Sequence, residues 1–484
     1  MPETGAPRPH FRTIALIVGA AMFMEQLDGT VLATALPSMA RELGVSAPSL
    51  SIALTSYLIS LAVFIPLSGR IADRFGARTV FRSAIVAFIL GSIACASAPS
   101  VYFLVAARFF QGIGGALMLP VGRLVLMRSV EKRDLIQATS WVLIPAIVGP
   151  IMGPPLGGFI VTYLNWRWIF YINVPIGVLG VVLVSLFIAN SRGEVPEKTD
   201  YTGIIQSSLS LGLLLFGFEL TSHPGALHLA LALLAAGAIL GALYILHARR
   251  TPDPILDISL MKIPTYGTSV IAGAITRITQ GAHPYLLPLM MQLGFGLSAA
   301  QSGLMTLATA LGSIVAKPIA PPILRRFGFR DTLVINGILS SAGYATCGLF
   351  RPGWPLPLMF LVMVTSGFFM SLQFTGYNTV AYDEIGQDRM ASATSFYTTF
   401  QQLMLSMGIC AGAAALQGAM ALRGHAAPQF SDFTAAFWVV ALISLGATTW
   451  NRRFAHDAGA EISGHTPRTW PTRQVIKEPR GLGS

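Results

Sequence analysis

Long apolar runs broken by short polar joints organise the whole chain. A run of about 20 apolar residues crosses a bilayer as a helix. Fourteen such runs are predicted, at 11–36, 49–69, 79–98, 101–127, 136–161, 167–190, 201–221, 226–247, 268–293, 299–324, 332–350, 355–381, 391–420 and 432–451. The apolar pattern is weakest in 268–293, which contains Arg277 and His283, and in 299–324, which ends in Lys317 and three prolines. The pattern predicts an all-α polytopic membrane protein.

Composition agrees. The 484 residues are 53% hydrophobic and 11% charged, with a mean hydropathy of +0.64, whereas soluble domains carry about 25% charge. A core alone does not absorb that much apolar sequence, so lipid is the solvent. A net charge of +11 would suggest nucleic acid in a soluble protein. Here the basic residues sit in the joints between apolar runs, so orientation in the bilayer is the better account and nucleic acid is not an expected partner. Of the 32 Lys and Arg, Arg41, Arg167, Arg351 and Arg423 fall in the loops of one side, and Arg108, Arg123, Arg277 and Lys317 fall within helices. The rest gather at the termini and in the other loops. Positive charge marks the cytoplasmic side, so an even number of crossings places both termini in the cytoplasm. Residues 1–10 show no signal-peptide pattern, and the first run is expected to stay as an anchor. Cys95, Cys347 and Cys410 lie in apolar runs without ligand spacing, which predicts neither a disulfide framework nor a metal site.

The first run holds the most informative chemistry. Glu25 and Asp28 are three residues apart, on roughly one face of a helix. A charge at bilayer depth costs about 2.5–3.5 kcal/mol even on mild insertion scales, so an intramembrane acid is by default a functional hypothesis. Desolvation and a like-charged neighbour make a carboxyl hold its proton more tightly, which suits a pair that exchanges a proton near neutral pH. The alternatives are a structural hydrogen bond for Asp28, to a neighbouring helix or to Thr30, and a cation-selecting role in a water-filled cavity for Glu25.

An internal echo predicts a duplicated architecture. Arg74-Phe75-Gly76-Ala77-Arg78 follows the second run, and Arg326-Phe327-Gly328-Phe329-Arg330 follows the tenth. Each falls between the second and third helix of a six-helix half, the weak internal symmetry of transporters built from repeats. The expected organisation is a cytoplasmic N-terminus at 1–10, a six-helix bundle at 11–190, an inserted helix pair with cytoplasmic linkers at 191–267, a second bundle at 268–451 and a disordered cytoplasmic tail at 452–484.

Four stretches then carry a family resemblance: Gly69-Arg70-Ile71-Ala72-Asp73-Arg74-Phe75-Gly76-Ala77-Arg78, Leu27-Asp28-Gly29-Thr30 through Ala35-Leu36-Pro37, Arg108-Phe109-Phe110-Gln111-Gly112-Ile113-Gly114-Gly115, and Gly149-Pro150-Ile151-Met152-Gly153-Pro154-Pro155-Leu156-Gly157-Gly158. In this order they resemble the major facilitator superfamily, specifically its fourteen-helix drug:proton antiporter branch, although Ala33 stands where that branch commonly has Asn. Pro120-Val121-Gly122-Arg123-Leu124, with the placement of Arg277 and Lys317, is similar to the MdtD-type exporters, which brings citrate or its iron complex among the substrates to weigh. The resemblance implies two six-helix bundles plus two inserted helices. It makes Asp28, Glu25 and Arg108 the proton-coupling residues, and Gly69, Asp73, Arg74, Gly76 and Arg78 a cytoplasmic gate in which Asp73 caps a helix N-terminus and pairs with an arginine. Gly149, Pro150, Gly153, Pro154, Gly157 and Gly158 become an antiporter motif that argues for export. For the gate, topology determination by the arginines is the alternative; for Arg108, a buried structural ion pair.

The second half offers Arg277, Gln280, Lys317, Gln373 and Asn378, joined by Gln111 of the first, as substrate contacts. Two cations there suit an anionic substrate; snorkelling of both to the interface is the alternative, and Arg123 is expected to snorkel. Glu219 is expected to be an interfacial charge, and the amides on their own to be interhelical contacts. No phosphate-binding loop is present, so ATP hydrolysis is not expected to drive the protein. The expectation is a non-enzymatic, monomeric, proton-driven exporter without cofactor in a bacterial cytoplasmic membrane. Its substrates are lipophilic drugs or, alternatively, an organic anion. A non-transporting receptor on the same fold is the remote alternative, because a receptor would tolerate loss of the acid and the gate.

Overall fold

In lipid a backbone N–H or C=O meets no water and must bond within its own segment, so each apolar run folds as a helix. The computed structural model describes residues 11–131, 134–192, 200–221, 225–252, 254–386 and 389–465. In order the helices are α1 (Phe11–Leu43), α2 (Ala47–Phe75), α3 (Ala77–Ala96), α4 (Val101–Ser129), α5 (Leu135–Tyr163), α6 (Trp168–Phe187), α7 (Tyr201–Leu220), α8 (Leu227–Ala248), α9 (Pro264–Leu289), α10 (Ala299–Cys347), α11 (Leu356–Val380), α12 (Met390–Arg423), α13 (Phe430–Asn451) and the short α14 (Ala460–Ser463). Among the described residues, 12 helices are long and apolar enough to cross a membrane. The charged run at 268–293 falls on α9, which is not one of them. The runs at 299–324 and 332–350 share α10, whose 49 residues would reach about 74 Å if straight, far beyond a bilayer core of about 30 Å. Gly328 (φ 73°, ψ 169°) breaks that run into two arms.

α1 packs on α4, α5 and α6, and α3 on α4 and α6; in the second half α9 packs on α12 and α13, and α10 on α11 and α13. The halves meet along two seams, α5 against α10 and α2 against α12. The helix ends define two faces. The tail face carries the start of α1 and residues 452–465, and the far face carries the α1–α2, α5–α6 and α9–α10 joints. At the far face the Tyr285 hydroxyl donates to the Pro48 carbonyl at 3.0 Å, Gln292 Nε2 to the Thr34 carbonyl at 2.9 Å, and the Ala300 N–H to Thr162 Oγ1 at 2.9 Å. One apolar cluster runs across both halves there, from Leu36 and Leu50 to Leu286 and Phe437.

The echoed loops share a geometry. Gly76 (φ 93°) and Gly328 both adopt a left-handed backbone that a side chain would strain. Each lies under a side chain delivered from beyond the last helix of its half: Asn190 over Gly76, and His465 over Gly328.

Two expectations change. Residues 452–465 are not a structureless tail: Phe454 and Ala458 bury against Phe329 and Tyr377, and the Gly459 N–H donates to Asp383 at 2.9 Å. Burial holds the Asp383 carboxyl above its usual value, against the pull of that bond. The expected N-terminus at 1–10 and the remaining tail, 466–484, lie outside the described residues. Glu219 is not an interfacial charge either. It is fully buried, because α7 packs on both α2 and α12.

Candidate functional site

Asp28 sits in α1 where α3, α4 and α6 converge, and among the described residues every group that binds it comes from the first half. Arg108 Nη1 of α4 donates to Asp28 Oδ2 at 2.5 Å. Gln111 Nε2, one turn on, donates to Oδ1 at 2.9 Å, and Asn173 Nδ2 of α6 reaches the same oxygen at 3.0 Å. Arg108 also donates to Gln111 Oε1 at 2.7 Å and, through Nε, to the Ala53 carbonyl at 3.2 Å. Its guanidinium lies 4.4 Å from the Tyr57 ring centre, a cation–π contact. Ser92 of α3 accepts from Gln111 at 2.8 Å. Asp28 and Arg108 are each 1% exposed. A carboxylate so placed is tolerable because charge-assisted bonds meet both oxygens.

Glu25 is one turn away and 7% exposed. Its hydrogen-bond partner among the described residues is the Tyr57 hydroxyl at 3.4 Å. Gly29, beside the pair, is exposed with open space where a Cβ would stand, so α1 is uncovered at this level. Sequence reasoning brought Asp28, Glu25 and Arg108 together; it offered Gln111 as a substrate contact, whereas the amide is spent on Asp28, Arg108 and Ser92, and it missed Tyr57, Ser92 and Asn173. An Asn within the first turns of the strongly apolar run 167–190 was the available signal for the last.

The loop motif closes on the tail face. Asp73 accepts from Arg128 Nη2 at 2.5 Å, and Arg128 Nη1 donates to the Ser191 carbonyl at 3.3 Å. The expected pairing with an arginine is present and the arginine is Arg128; helix capping by Asp73 is not among its bonds. Arg74 donates to the Tyr201 hydroxyl at 3.3 Å, Arg78 is half-buried, and Gly69 faces open space. Both members of the Asp73–Arg128 pair are partly exposed, so their coupling is expected to be about 1 kcal/mol. Thermal unfolding of Asp73→Asn, Arg128→Ala and the double variant measures it: the double should cost no more than the larger single.

The glycines of α5 are contact points. A Cβ on Gly149 would meet Gln26 and the Phe23 carbonyl, on Gly153 Thr30, and on Gly157 the Val31 carbonyl at 2.5 Å, all in α1. Gly158 turns the other way, to the Ala299 carbonyl at 2.2 Å, and the Pro154 carbonyl lies 2.2 Å from a Cβ on Gly303 of α10. Pro150 is half-buried within the same helix.

The second-half candidates separate. Arg277 is 3% exposed, with Phe374 and Tyr397 rings 5.3 and 5.1 Å away and the Tyr397 hydroxyl at 3.5 Å. Its Nε has no hydrogen-bond partner among the described residues. Gln280 is half-buried on the same helix, whereas Lys317 is exposed on α10 and makes no ion pair among the described residues. Gln373 is fully buried in an amide network: it accepts from Asn336 at 2.6 Å and donates to the Leu333 carbonyl and the Tyr377 hydroxyl. Both its N–H groups are spent and none of its surface is open to a substrate in this structure. Asn378 is half-buried, donating to the Phe374 carbonyl and accepting from Gln401 at 2.7 Å. On the tail face burial pushes the Asp257 carboxyl up, but bonds from Ser259 and Arg389 outweigh it and hold the group below its usual value.

The sequence profile of the Major Facilitator Superfamily matches residues 18–409 and again 269–469, and the chain belongs to that superfamily of multi-pass membrane transporters. It is a transporter of small molecules, not an enzyme. Among its relatives, the probable transport protein HsrA of Haemophilus influenzae is 35% identical over 402 residues, 82% of this chain and 86% of HsrA. The MdtD protein of Serratia proteamaculans, whose name assigns it to multidrug resistance, is 37% identical over 399 residues, 81% of this chain and 82% of MdtD. In shape the chain matches a D-xylose-proton symporter with a TM-score of 0.63 at 17% identity, covering 91% of this chain and 96% of that one. An auto-inhibited POT family peptide transporter gives 0.66 at 16% identity, covering 92% and 97%. At those identities the likeness concerns the fold.

Proposed function

We propose that the protein is a proton-coupled antiporter that exports small molecules from the cytoplasm by alternating access, with lipophilic multidrug-type compounds as its substrates. It works as a monomer in a bacterial cytoplasmic membrane, crosses it fourteen times with both termini in the cytoplasm, and draws on the proton gradient without a cofactor. The tail face is then cytoplasmic and the far face external.

The Glu25–Asp28–Arg108 cluster carries the reading. Two carboxylates and one guanidinium leave a net charge of −1, and net charge is costly at this depth. One bound proton neutralises the cluster. A lipophilic cation beside Glu25, where α1 is uncovered at Gly29, does the same, so the two compete for one site. Competition for one neutralising position is the thermodynamic core of antiport. The multidrug-resistance name of the MdtD relatives supports that substrate class.

Arg277 favours a second reading, export of an organic anion such as citrate or iron-citrate. A buried guanidinium with an unmet N–H and aromatic walls is suited to a carboxylate. The test is substrate-induced proton movement in proteoliposomes holding a pH dye, with a lipophilic cation, citrate and ferric citrate as the panel. A cation response that is lost in Asp28→Asn and kept in Arg277→Ala supports multidrug export. A citrate response lost in both variants moves the assignment to the anion. Silence to every compound in folded protein rejects both substrate classes.

A further inference from the structure

The echo between the halves extends beyond their loops. Ala47 and Ala299 begin the second helix of each half, Gly76 and Gly328 break the chain after it, and the members of both pairs are the same number of residues apart. Carried back into the first helix of each half at that spacing, the repeat sets Glu25 against Arg277 and Asp28 against Gln280. In parallel repeats related by an axis along the membrane normal, equivalent positions lie at one depth on opposite sides of the space between the bundles. The repeat has therefore inverted one charge and erased the other. Neither Glu25 nor Arg277 has an ion-pair partner among the described residues: Glu25 meets the Tyr57 hydroxyl, and Arg277 meets aromatic rings with its Nε unmet. Room for the guanidinium comes from Gly273, where a Cβ would stand 2.7 Å from Nη1. The two surroundings adjoin, because Phe400, which lines a small pocket with Arg277, packs against Ile59 and Val63 of α2, the helix that carries Tyr57. We infer that the preferred cargo is zwitterionic, an elongated aromatic compound whose ammonium group sits at Glu25 and whose carboxylate sits at Arg277. The inference rests on the antiport reading above and narrows its substrate class.

The chemistry follows from two unpaired charges of opposite sign. An ammonium group donates to the Glu25 carboxylate and cancels the net charge of the first-half cluster, as a proton does, so the competition that drives antiport is kept. A carboxylate accepts from Arg277, whose planar guanidinium is built for that geometry. An aromatic body suits the Phe374 and Tyr397 rings beside it. Cargo of a single sign does half of this. A cation leaves the guanidinium without a counterion, an anion leaves the first-half cluster charged, and a buried charge left unpaired is costly. One molecule carrying both groups satisfies both bundles at once.

The test is calorimetric titration of the full-length protein in lipid nanodiscs, at mildly alkaline pH where the proton competes least. The probes are 4′-(aminomethyl)biphenyl-4-carboxylate, its methyl ester, which keeps only the cation, and its N-acetyl derivative, which keeps only the anion. The wild type should bind the zwitterion at least about 10-fold more tightly than either blocked form, the smaller end of the effect of removing one partner from a buried charge pair. Glu25→Gln should lower the zwitterion to the level of the N-acetyl form without weakening that form. Arg277→Gln should lower it to the level of the methyl ester without weakening the ester. A wild type that does not bind the zwitterion, or binds a blocked form as tightly, overturns the inference, as does either variant weakening all three compounds equally. If a variant does not fold, the three compounds on the wild type decide alone. Binding needs no gradient, so the two readings fail separately. Proton movement driven by cations in proteoliposomes, with no preference for the zwitterion, sinks this inference alone; the binding pattern without proton movement sinks antiport alone.

Discussion

Asp28→Asn is expected to abolish substrate-driven proton movement and still yield folded protein. The amide keeps one carbonyl oxygen, which in the place of Oδ1 still accepts from Gln111 and Asn173, while its NH2 loses the bond from Arg108. The charge count does not survive. With Asn at position 28, Glu25 and Arg108 already balance, and the cluster has no call for a proton. Glu25→Gln should produce the same silence for the same reason, although it leaves the Asp28–Arg108 pair intact. Arg108→Ala is different: it strands two carboxylates in a buried site, and breaking such a pair costs about 3–5 kcal/mol. That variant should fail in folding or thermal stability before transport is measured. The comparison is made with a pH dye inside proteoliposomes and a melting curve for each variant. Proton movement in Asp28→Asn equal to wild type would falsify the charge-count account.

The second large effect is expected at Gly158. An added methyl would stand 2.2 Å from the Ala299 carbonyl oxygen and 2.8 Å from its carbon, and backbone cannot step aside as a side chain would. Gly158→Ala should therefore hold the α5–α10 seam apart and deplete the far-closed state, with each half intact. Gly157→Ala makes the informative partner. Its methyl meets the Val31 carbonyl inside the first half, so it should lower stability by about 1–3 kcal/mol, a typical overpacking cost. A cysteine at Ser38, in the far-face cavity of about 680 Å³, reads the seam through its rate of labelling from that side. Faster labelling in Gly158→Ala with an unchanged melting temperature is the expected result. Equal rates would mean that the seam tolerates the methyl.

Much of this site was legible before any coordinates. Apolar runs mark helices because the cost of unmet backbone groups in lipid leaves no other choice. An acid and an arginine inside such runs are costly enough to imply each other, and Asp28 and Arg108 do meet. What hydropathy does not encode is the direction in which a polar residue points. Glu219, Gln373 and Lys317 read alike as polar interruptions, yet the first bridges helices, the second closes an amide network and the third is exposed. Asn173 went unread because an isolated amide amid apolar neighbours looks like a tolerated impurity. The segment after residue 451 misled for a related reason. Its composition is polar, but Phe454 and Ala458, with a left-handed Gly459, suffice to dock it. Anchors so sparse vanish in an average over composition.

The confinement of every Asp28 ligand among the described residues to residues 108–173 has an evolutionary consequence. On the proposed antiport, the groups that bind the proton travel together in the first bundle, and the other bundle is free to diverge around them. Arg277, its aromatic neighbours and the half-buried amides near Asn378 all belong to that second piece. If the cargo is an anion held at Arg277, selection can rewrite what is carried without disturbing what drives the carrying. A lineage built this way acquires new cargo by remodelling a single wall.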